Sequence, residues 1–193
     1  MEKVKKEHKK KIMEMIRKAG SSEYETSWDT KGIPYITKKK TEITKGRKAR
    51  ASGSQFELKV RKDLEAKGRV VDKWSNNVDL PSKGDSGEPE KGKLVIAKRK
   101  YNPFRKMLVV GTGFPDFISI KHVHTELYSV IGVEVKMNGI LSKIEKQKCA
   151  WYLKNKIFSQ IWIAKKGQKR GEILYDDFEE KYGGKFSLVV DDD

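Results

Sequence analysis

The sequence predicts a mixed α/β (α+β) domain built around one central sheet, behind a basic N-terminal extension. Three observations predict it. Apolar runs of strand length alternate with stretches of helical period, in the order helix, several strands, helix, strand, helix. Two Ser-x-x-Glu capping boxes, at 54–57 and 142–145, open two of the helical stretches. Apolar residues make up 36% of the chain and are sparse before residue 52, so the packed part begins there.

The elements follow in chain order. Residues 4–18 read as a helix with Ile12, Met15 and Ile16 on one side and mostly lysines elsewhere. From Gly20 to Arg50 aliphatics are few; this segment is expected to bury little and to stay mobile until it meets a partner, with KGRKARAS (45–52) as a basic arm. The chain therefore divides into 1–51, a basic N-terminal helix and flexible arm, and 52–190, a packed domain. In the second part Ser54 caps a helix whose Phe56, Val60 and Leu64 recur at i, i+4 and i+8, and Gly68 ends it. RVVDKW (69–74) reads as a strand, 76–92 as a long loop full of turn residues, and KLVIA (93–97) as a short strand. KRKYNPFRK (98–106) reads as a basic loop with two aromatics. MLVV (107–110), DFISI (116–120) and LYSVIGVEVK (127–136) are strands, the last the strongest. Ser142 opens a helix running to about Asn155, QIWIA (160–164) is the last clear strand, and ILYDDFEEKYG (173–183) reads as a short amphipathic helix.

Charge and cysteine usage narrow the function classes. Lys plus Arg number 43 and Asp plus Glu 27, a net charge of +16. That excess predicts a polyanionic partner, nucleic acid first, against the alternative of a merely solubilising lysine-rich surface. Residues 1–50 alone hold 16 Lys/Arg against 7 Asp/Glu. No apolar run approaches the ~18 residues of a membrane span, and no apolar segment follows MEKVKKEHKKK as a secretory leader requires. The expectation is a cytoplasmic protein without membrane contact. The single cysteine, Cys149, cannot form a disulfide within the chain and leaves no thiolate set for zinc.

The chemistry concentrates in Gly113-Phe-Pro-Asp116 and Val133-Glu134-Val135-Lys136. Alternation puts Glu134 and Lys136 on one face of their strand and Val133 and Val135 on the other. If DFISI and IGVEVK pair as a hairpin through KHVHTE, Asp116 lies beside Glu134. Two carboxylates then offer hard oxygen ligands to Mg²⁺ or Mn²⁺, to which the Val135 carbonyl can add a third. A lysine two residues on can hold an attacking water or offset phosphate charge, a set suited to phosphodiester hydrolysis. The alternative is an ordinary ion pair on a solvated edge strand.

GFPDFISI with IGVEVK, behind a helix bearing Glu57, resembles the PD-(D/E)XK nuclease superfamily. Pro115-Asp116 match its PD and Glu134-Val135-Lys136 its EXK. The run GVEVKMNGILSKIEKQKCAWYL is similar to the VRR-NUC and archaeal Holliday-junction resolvase branches, with Glu145 where those branches often carry Gln. The resemblance covers roughly residues 52–165. It implies a restriction-endonuclease-like core, a central mixed four- to five-stranded sheet flanked by helices. It also implies Mg²⁺ dependence and nuclease activity, but does not by itself imply a substrate; the expected function is an endonuclease on DNA, on branched or structured substrate as in repair and recombination. Related resolvases act as dimers, so a homodimer is compatible with it.

On these terms Asp116 and Glu134 are metal ligands and Lys136 positions or activates water. Glu57 is either an extra carboxylate near the metal or only the acid of its capping box; Glu145 is read as the acid of its cap. Arg47, Lys48 and Arg50 in the arm, Lys98, Arg99, Lys100, Arg105 and Lys106 around Tyr101 and Phe104, and Lys143 and Lys146 on the second helix are the expected nucleic-acid contacts. His122 and His124 lack a third soft ligand for zinc, Cys149 reads as a packed thiol, and Trp28 stands in the arm where it could stack on a base. Two rival readings remain: a catalytically inactive nuclease fold that only binds nucleic acid, and a basic structural or ribonucleoprotein component.

Overall fold

A computed structural model describes residues 2–80, 92–102, 106–109 and 113–185. The chain divides into two compact units, Met1–Ser54 and Gln55–Asp193.

In the first unit, α1 (Glu2–Ala19) is followed by a two-stranded antiparallel ribbon, β1 (Tyr24–Trp28) and β2 (Pro34–Lys38). The segment expected to stay mobile until it meets a partner carries regular elements here. The Asp29 carboxylate accepts the Lys31 and Ile33 N–H groups and closes the ribbon turn, and α2 (Lys40–Ala66) begins two residues after β2. The basic arm 45–52 therefore lies within a helix. The expected capping box at Ser54 is corrected, because Ser54 is interior to α2 and has no terminus to cap. Composition reads this segment as an arm because the first half of α2 buries no side chain of its own; its buried positions are Phe56, Val60 and Leu64.

The second unit is built on a mixed five-stranded sheet. Its strands are β3 (Val70–Lys73), β8 (Phe117–His124), β9 (Leu127–Val135), β10 (Gln160–Lys166) and β11 (Ile173–Asp177), in the order β11-β10-β9-β8-β3. β9 and β10 run parallel; the other neighbours are antiparallel. Two short hairpins accompany it, β4 (Asn76–Asp79) with β5 (Lys93–Ile96) and β6 (Lys100–Asn102) with β7 (Met107–Val109). One face of the sheet receives the apolar stripe of α2, where Phe56, Val60 and Leu64 pack with Val71, Phe117, Ile131, Val133 and Ala164. The other receives α3 (Lys143–Lys154) and α4 (Phe178–Tyr182), whose Cys149, Tyr152 and Phe178 pack with Phe158, Ile161 and Ile163. Helices thus cover both faces of one sheet, the mixed α+β arrangement that the element order predicts.

Local signals explain several boundaries. Gly68, at φ +74°, ends α2 while the Arg69 N–H returns to the Leu64 carbonyl. At α3 the capping box forms in full, with Ser142 accepting from the Glu145 N–H and Glu145 accepting from the Ser142 N–H. Three expectations change. Asn76–Asp79 is a strand rather than loop, held by buried Val78, while 81–91 lie outside the described residues. The basic loop 98–106 contains β6 instead, and Phe104 and Arg105 lie outside the described residues. The segment 173–183 splits into β11 and α4, because the Asp177 carboxylate accepts the N–H groups of Glu179 and Glu180 and starts a helix there. No helix among the described residues is long and apolar enough to cross a membrane.

Candidate active site

The β8–β9 register decides what meets what. Phe117 pairs with Val133, so Asp116, one residue before β8, falls across from Glu134. Two hydrogen bonds lock the pair: the Val135 N–H donates to Asp116 Oδ2 at 3.0 Å, and the Asp116 N–H donates to Glu134 Oε2 at 3.2 Å. Val133 goes into the apolar layer under α2, which leaves Glu134 on the α3 side of the sheet. Glu134 is 4% exposed, the only acidic member of the buried core among the described residues. Lys136 follows on the same face, with Nζ 3.0 Å from Glu134 Oε1 and 2.7 Å from Glu145 Oε1.

The approach of Asp116 depends on its neighbours. The Asp116 carbonyl accepts the Trp74 N–H, and the Phe114 N–H donates to the Asn76 carbonyl. Between these ties Gly113 passes so close to the carbonyls of Trp74 and Asn76 that a Cβ would overlap them. This is the physical reason for glycine before Phe114-Pro115-Asp116.

The electrostatics of the cluster are opposed. Burial, reinforced by the Asp116 charge, pushes the Glu134 carboxyl up to about 8. Burial also raises Asp116, with Glu57 adding to the rise, against the Val135 N–H, Lys73 and Lys136. Burial pulls Lys136 down, but its contacts with Glu145 and Glu134 outweigh that and hold it above the ordinary lysine value. Glu145 is lowered on balance: burial raises it, and the Lys136 and Ser142 hydrogen bonds more than offset the rise. Both shifts disfavour ionisation, so holding the two carboxylates charged side by side calls for a further cation. That deficit and an all-oxygen donor set fit a hard divalent ion. No described donor reaches Asp116 Oδ1. Among the described residues no group of three or more His, Cys, Asp or Glu side chains is arranged to hold a metal, so side-chain ligation would rest on Asp116 and Glu134.

The remaining expected residues divide. Glu57 lies on α2, with Oε2 2.6 Å from Lys73 Nζ, and its charge is felt at Asp116; it caps nothing. Glu145 caps α3 through one oxygen, as its capping box predicts, and through the other holds Lys136, a contact the sequence reading did not assign. Arg47, Lys48, Arg50, Lys98, Arg99, Lys106 and Lys143 are exposed. Lys146 places its ammonium 4.4 Å from the Tyr182 ring centroid, Lys100 opens β6, and Arg105 lies outside the described residues. Sequence reasoning missed Lys73 and Asn77. Lys73, in VVDKW, pairs in register with Phe117 and so arrives beside Asp116, a placement that strand alternation alone does not reveal. Asn77 accepts from Lys148 Nζ at 2.7 Å; burial lowers the Lys148 pKa, with Glu145 and Glu134 acting against the fall.

Other singled-out groups have local partners. His122 and His124 bond to Thr125 in the β8–β9 turn, and Cys149 is fully buried with its thiol pushed well up by burial, so neither forms a reactive site. No family model, no curated protein and no solved structure matches the chain.

Proposed function

We propose that the chain is a metal-dependent nuclease hydrolysing DNA phosphodiester bonds, an endonuclease of the PD-(D/E)XK type acting on branched or structured DNA. The single observation that carries this reading is the linkage of Asp116, Glu134 and Lys136 into one cluster through the contacts at 3.0, 3.2 and 3.0 Å. A five-stranded mixed sheet with helices on both faces is compatible with the restriction-endonuclease-like core that the motifs suggest.

Asp116 and Glu134, with the Val135 carbonyl, would hold Mg²⁺ or Mn²⁺. Bound there, the ion supplies Lewis acidity at the scissile phosphate and eases deprotonation of water. The chain's own residues do the rest. Lys136 stays protonated between Glu134 and Glu145, so it acts as a positive charge and hydrogen-bond donor beside the phosphate and orients water rather than deprotonating it. Glu145 positions that ammonium. Glu57 and Lys73 set the charge beside Asp116. The exposed basic residues contact phosphates along the backbone, with counterion release as the source of affinity. DNA rather than RNA rests on the resemblance.

The test is a substrate panel of supercoiled, linear, single-stranded and four-way-junction DNA with Mg²⁺ or Mn²⁺, run beside Lys136→Ala. Cutting by the wild type that Lys136→Ala loses is the expected result. A second reading, a nuclease-like fold that binds without cutting, draws on the presence of only two carboxylates at the centre of the cluster. Binding to every substrate with cleavage of none would establish it.

A further inference from the structure

The β1–β2 ribbon belongs to no part of the catalytic reading, yet its end exposes two aromatic rings and an isoleucine. Trp28 closes β1 and is 66% exposed, Ile33 is 58% exposed in the turn, and Tyr35 near the start of β2 is 49% exposed. Trp74, Trp151 and Trp162 all pack in the cores of the second unit. The turn that carries the exposed group is tightly tied. Asp29 Oδ1 accepts the N–H groups of Lys31 and Ile33, each at 2.8 Å; the Asp29 N–H donates to the Ile33 carbonyl at 3.0 Å, and the Gly32 N–H to the Asp29 carbonyl at 3.1 Å. Gly32 takes φ +73°, which the turn needs.

Register and pleat assign the rings to sides. Trp28 pairs with Pro34 and Ser27 with Tyr35, so the indole and the phenol occupy opposite faces of the ribbon. A tied turn with a flat ring on each face is a wedge. The charge of the unit that carries it points to the occupant: Met1–Ser54 holds 16 Lys/Arg against 7 Asp/Glu, and Lys31 sits in the turn itself, while the Asp29 carboxylate there is taken up by backbone N–H groups. Exposed aromatic rings on a cationic unit match a polyanion that also offers flat apolar faces. Paired bases present only their edges, whereas unpaired bases present a whole π-face.

We propose that the β1–β2 turn is a stacking site for unpaired nucleobases, with Trp28 as the principal platform, Tyr35 on the other face and Lys31 at the adjoining phosphate. The site rests on the nucleic-acid part of the functional reading and not on catalysis. It therefore gives the first unit a preference for frayed, looped or forked nucleic acid over continuous duplex.

The test uses the full chain in EDTA, where metal-dependent cutting does not occur. A short oligothymidylate and a duplex of equal length are titrated by intrinsic fluorescence and by anisotropy of the labelled strands. Quenching of wild type by the oligothymidylate, absent in Trp28→Phe, is expected. Trp28→Ala should weaken oligothymidylate binding by about 5- to 150-fold, the range for one stacked base, and duplex binding by about two-fold or less. Trp28→Tyr should restore most of the loss, because a ring still stacks. Equal weakening for both substrates, or none, overturns the site. So does a Trp28-dependent response to phosphatidylcholine–phosphatidylserine vesicles without one to oligothymidylate, which makes the turn a lipid anchor. Self-association in sedimentation that Trp28→Ala abolishes, without an effect on single strands, assigns the turn to a second copy and also overturns it. Wild type that binds neither nucleic acid removes the partner reading and this site with it. Cleavage failure in the Mg²⁺ panel alongside the expected binding results leaves this site standing and rejects only the nuclease.

Discussion

At the Asp116–Glu134 cluster two carboxylates are drawn into the sheet; at the β1–β2 turn an indole and a phenol stand in water. Both reverse the usual partition of side chains, and they cost very different amounts. Leaving one aromatic exposed forgoes on the order of 1.5–3 kcal/mol of burial, and four hydrogen bonds local to the turn hold it in place. Ionising two adjacent carboxylates inside the second unit costs more and needs help from many directions: the β8–β9 register, the Val135 and Asp116 N–H groups, the Lys136 ammonium, and the cap of α3. The turn is a locally specified feature, whereas the cluster is a property of the whole second unit. Perturbing the core should damage the cluster and spare the turn.

The sharpest way to break that contrast is to remove the charges of the cluster. Asp116→Ala or Glu134→Ala should lower Mg²⁺-dependent cleavage by about a thousand-fold or more, the loss expected when a metal and its charge stabilisation are removed. DNA binding should stay within about two-fold, because phosphate contacts from exposed cations supply the affinity. Glu134→Gln should be inactive yet, in EDTA at pH 8 and above where the wild-type carboxyl ionises, melt higher than wild type, since the amide keeps the shape and drops the buried charge. A Glu134→Gln protein that is less stable in EDTA at that pH would refute the picture of a strained carboxylate pair.

The same strain has a pH signature. Glu134 has a folded value of about 8 against an ordinary 4.5, so between these values the folded state binds more protons than the unfolded chain. Stability of the metal-free protein must therefore fall as pH rises from about 5 to 8. The raised value of Asp116 adds in the same direction. Glu145, Asp63 and Asp176 are lowered instead; their contributions are lost only as pH falls through the acid range and do not act in this window. Thermal denaturation in EDTA across the window should show the slope. Glu134→Gln should flatten it, and Mg²⁺ should raise the melting temperature most at the alkaline end, where both carboxylates are ionised.

How much of this was legible in sequence follows from the range of the forces involved. The strands around EVK, the stop at Gly68 and the Ser142 cap rest on local pattern, and each stands where the pattern puts it. The Asp116–Glu134 juxtaposition was legible because a hairpin of two strong strands fixes its own register. Ser54 misled because a Ser-x-x-Glu box is a start signal only if the preceding residues are not already helical, and α2 begins at Lys40. Asn76–Asp79 was hidden because one buried residue, Val78, anchors an otherwise polar strand. Lys73 reaches the site through pairing across 40-odd residues of sequence, which no local pattern carries.

Smaller effects sharpen the contrast further. Gly113→Ala places a methyl against two backbone carbonyls that cannot swing away, so it should destabilise the second unit by about 1–3 kcal/mol. Because Gly113 leads into Asp116, it should also depress cleavage while leaving Trp28 quenching by oligothymidylate unchanged. Denaturant melts and the fluorescence titration, run on one preparation, read both. Glu145→Gln separates the two jobs of that residue: glutamine still completes a capping box, but Lys136 loses one of its two negative partners. Melting temperature should barely move while the cleavage rate falls by about ten-fold, an estimate that follows from weakening one positioned charge-assisted hydrogen bond. A drop in stability that matches the drop in rate would reduce Glu145 to a cap.

The smallest effect concerns the exposed cations. Arg47, Lys48 and Arg50 stand on the surface of α2 without a described carboxylate partner, although Arg50 Nε donates to the Gly46 carbonyl. Each that contacts a phosphate should contribute about 0.9 to the slope of log affinity against log salt on duplex DNA. Replacing all three by Ala should therefore reduce the slope by at most about 2.7 and weaken binding uniformly across substrates. Uniformity distinguishes this triple variant from Trp28→Ala, which is expected to discriminate between single and double strands. Should the triple variant keep the full slope, phosphate contact must come from the cations of the second unit, with Lys98, Arg99, Lys106 and Lys143 the next to neutralise.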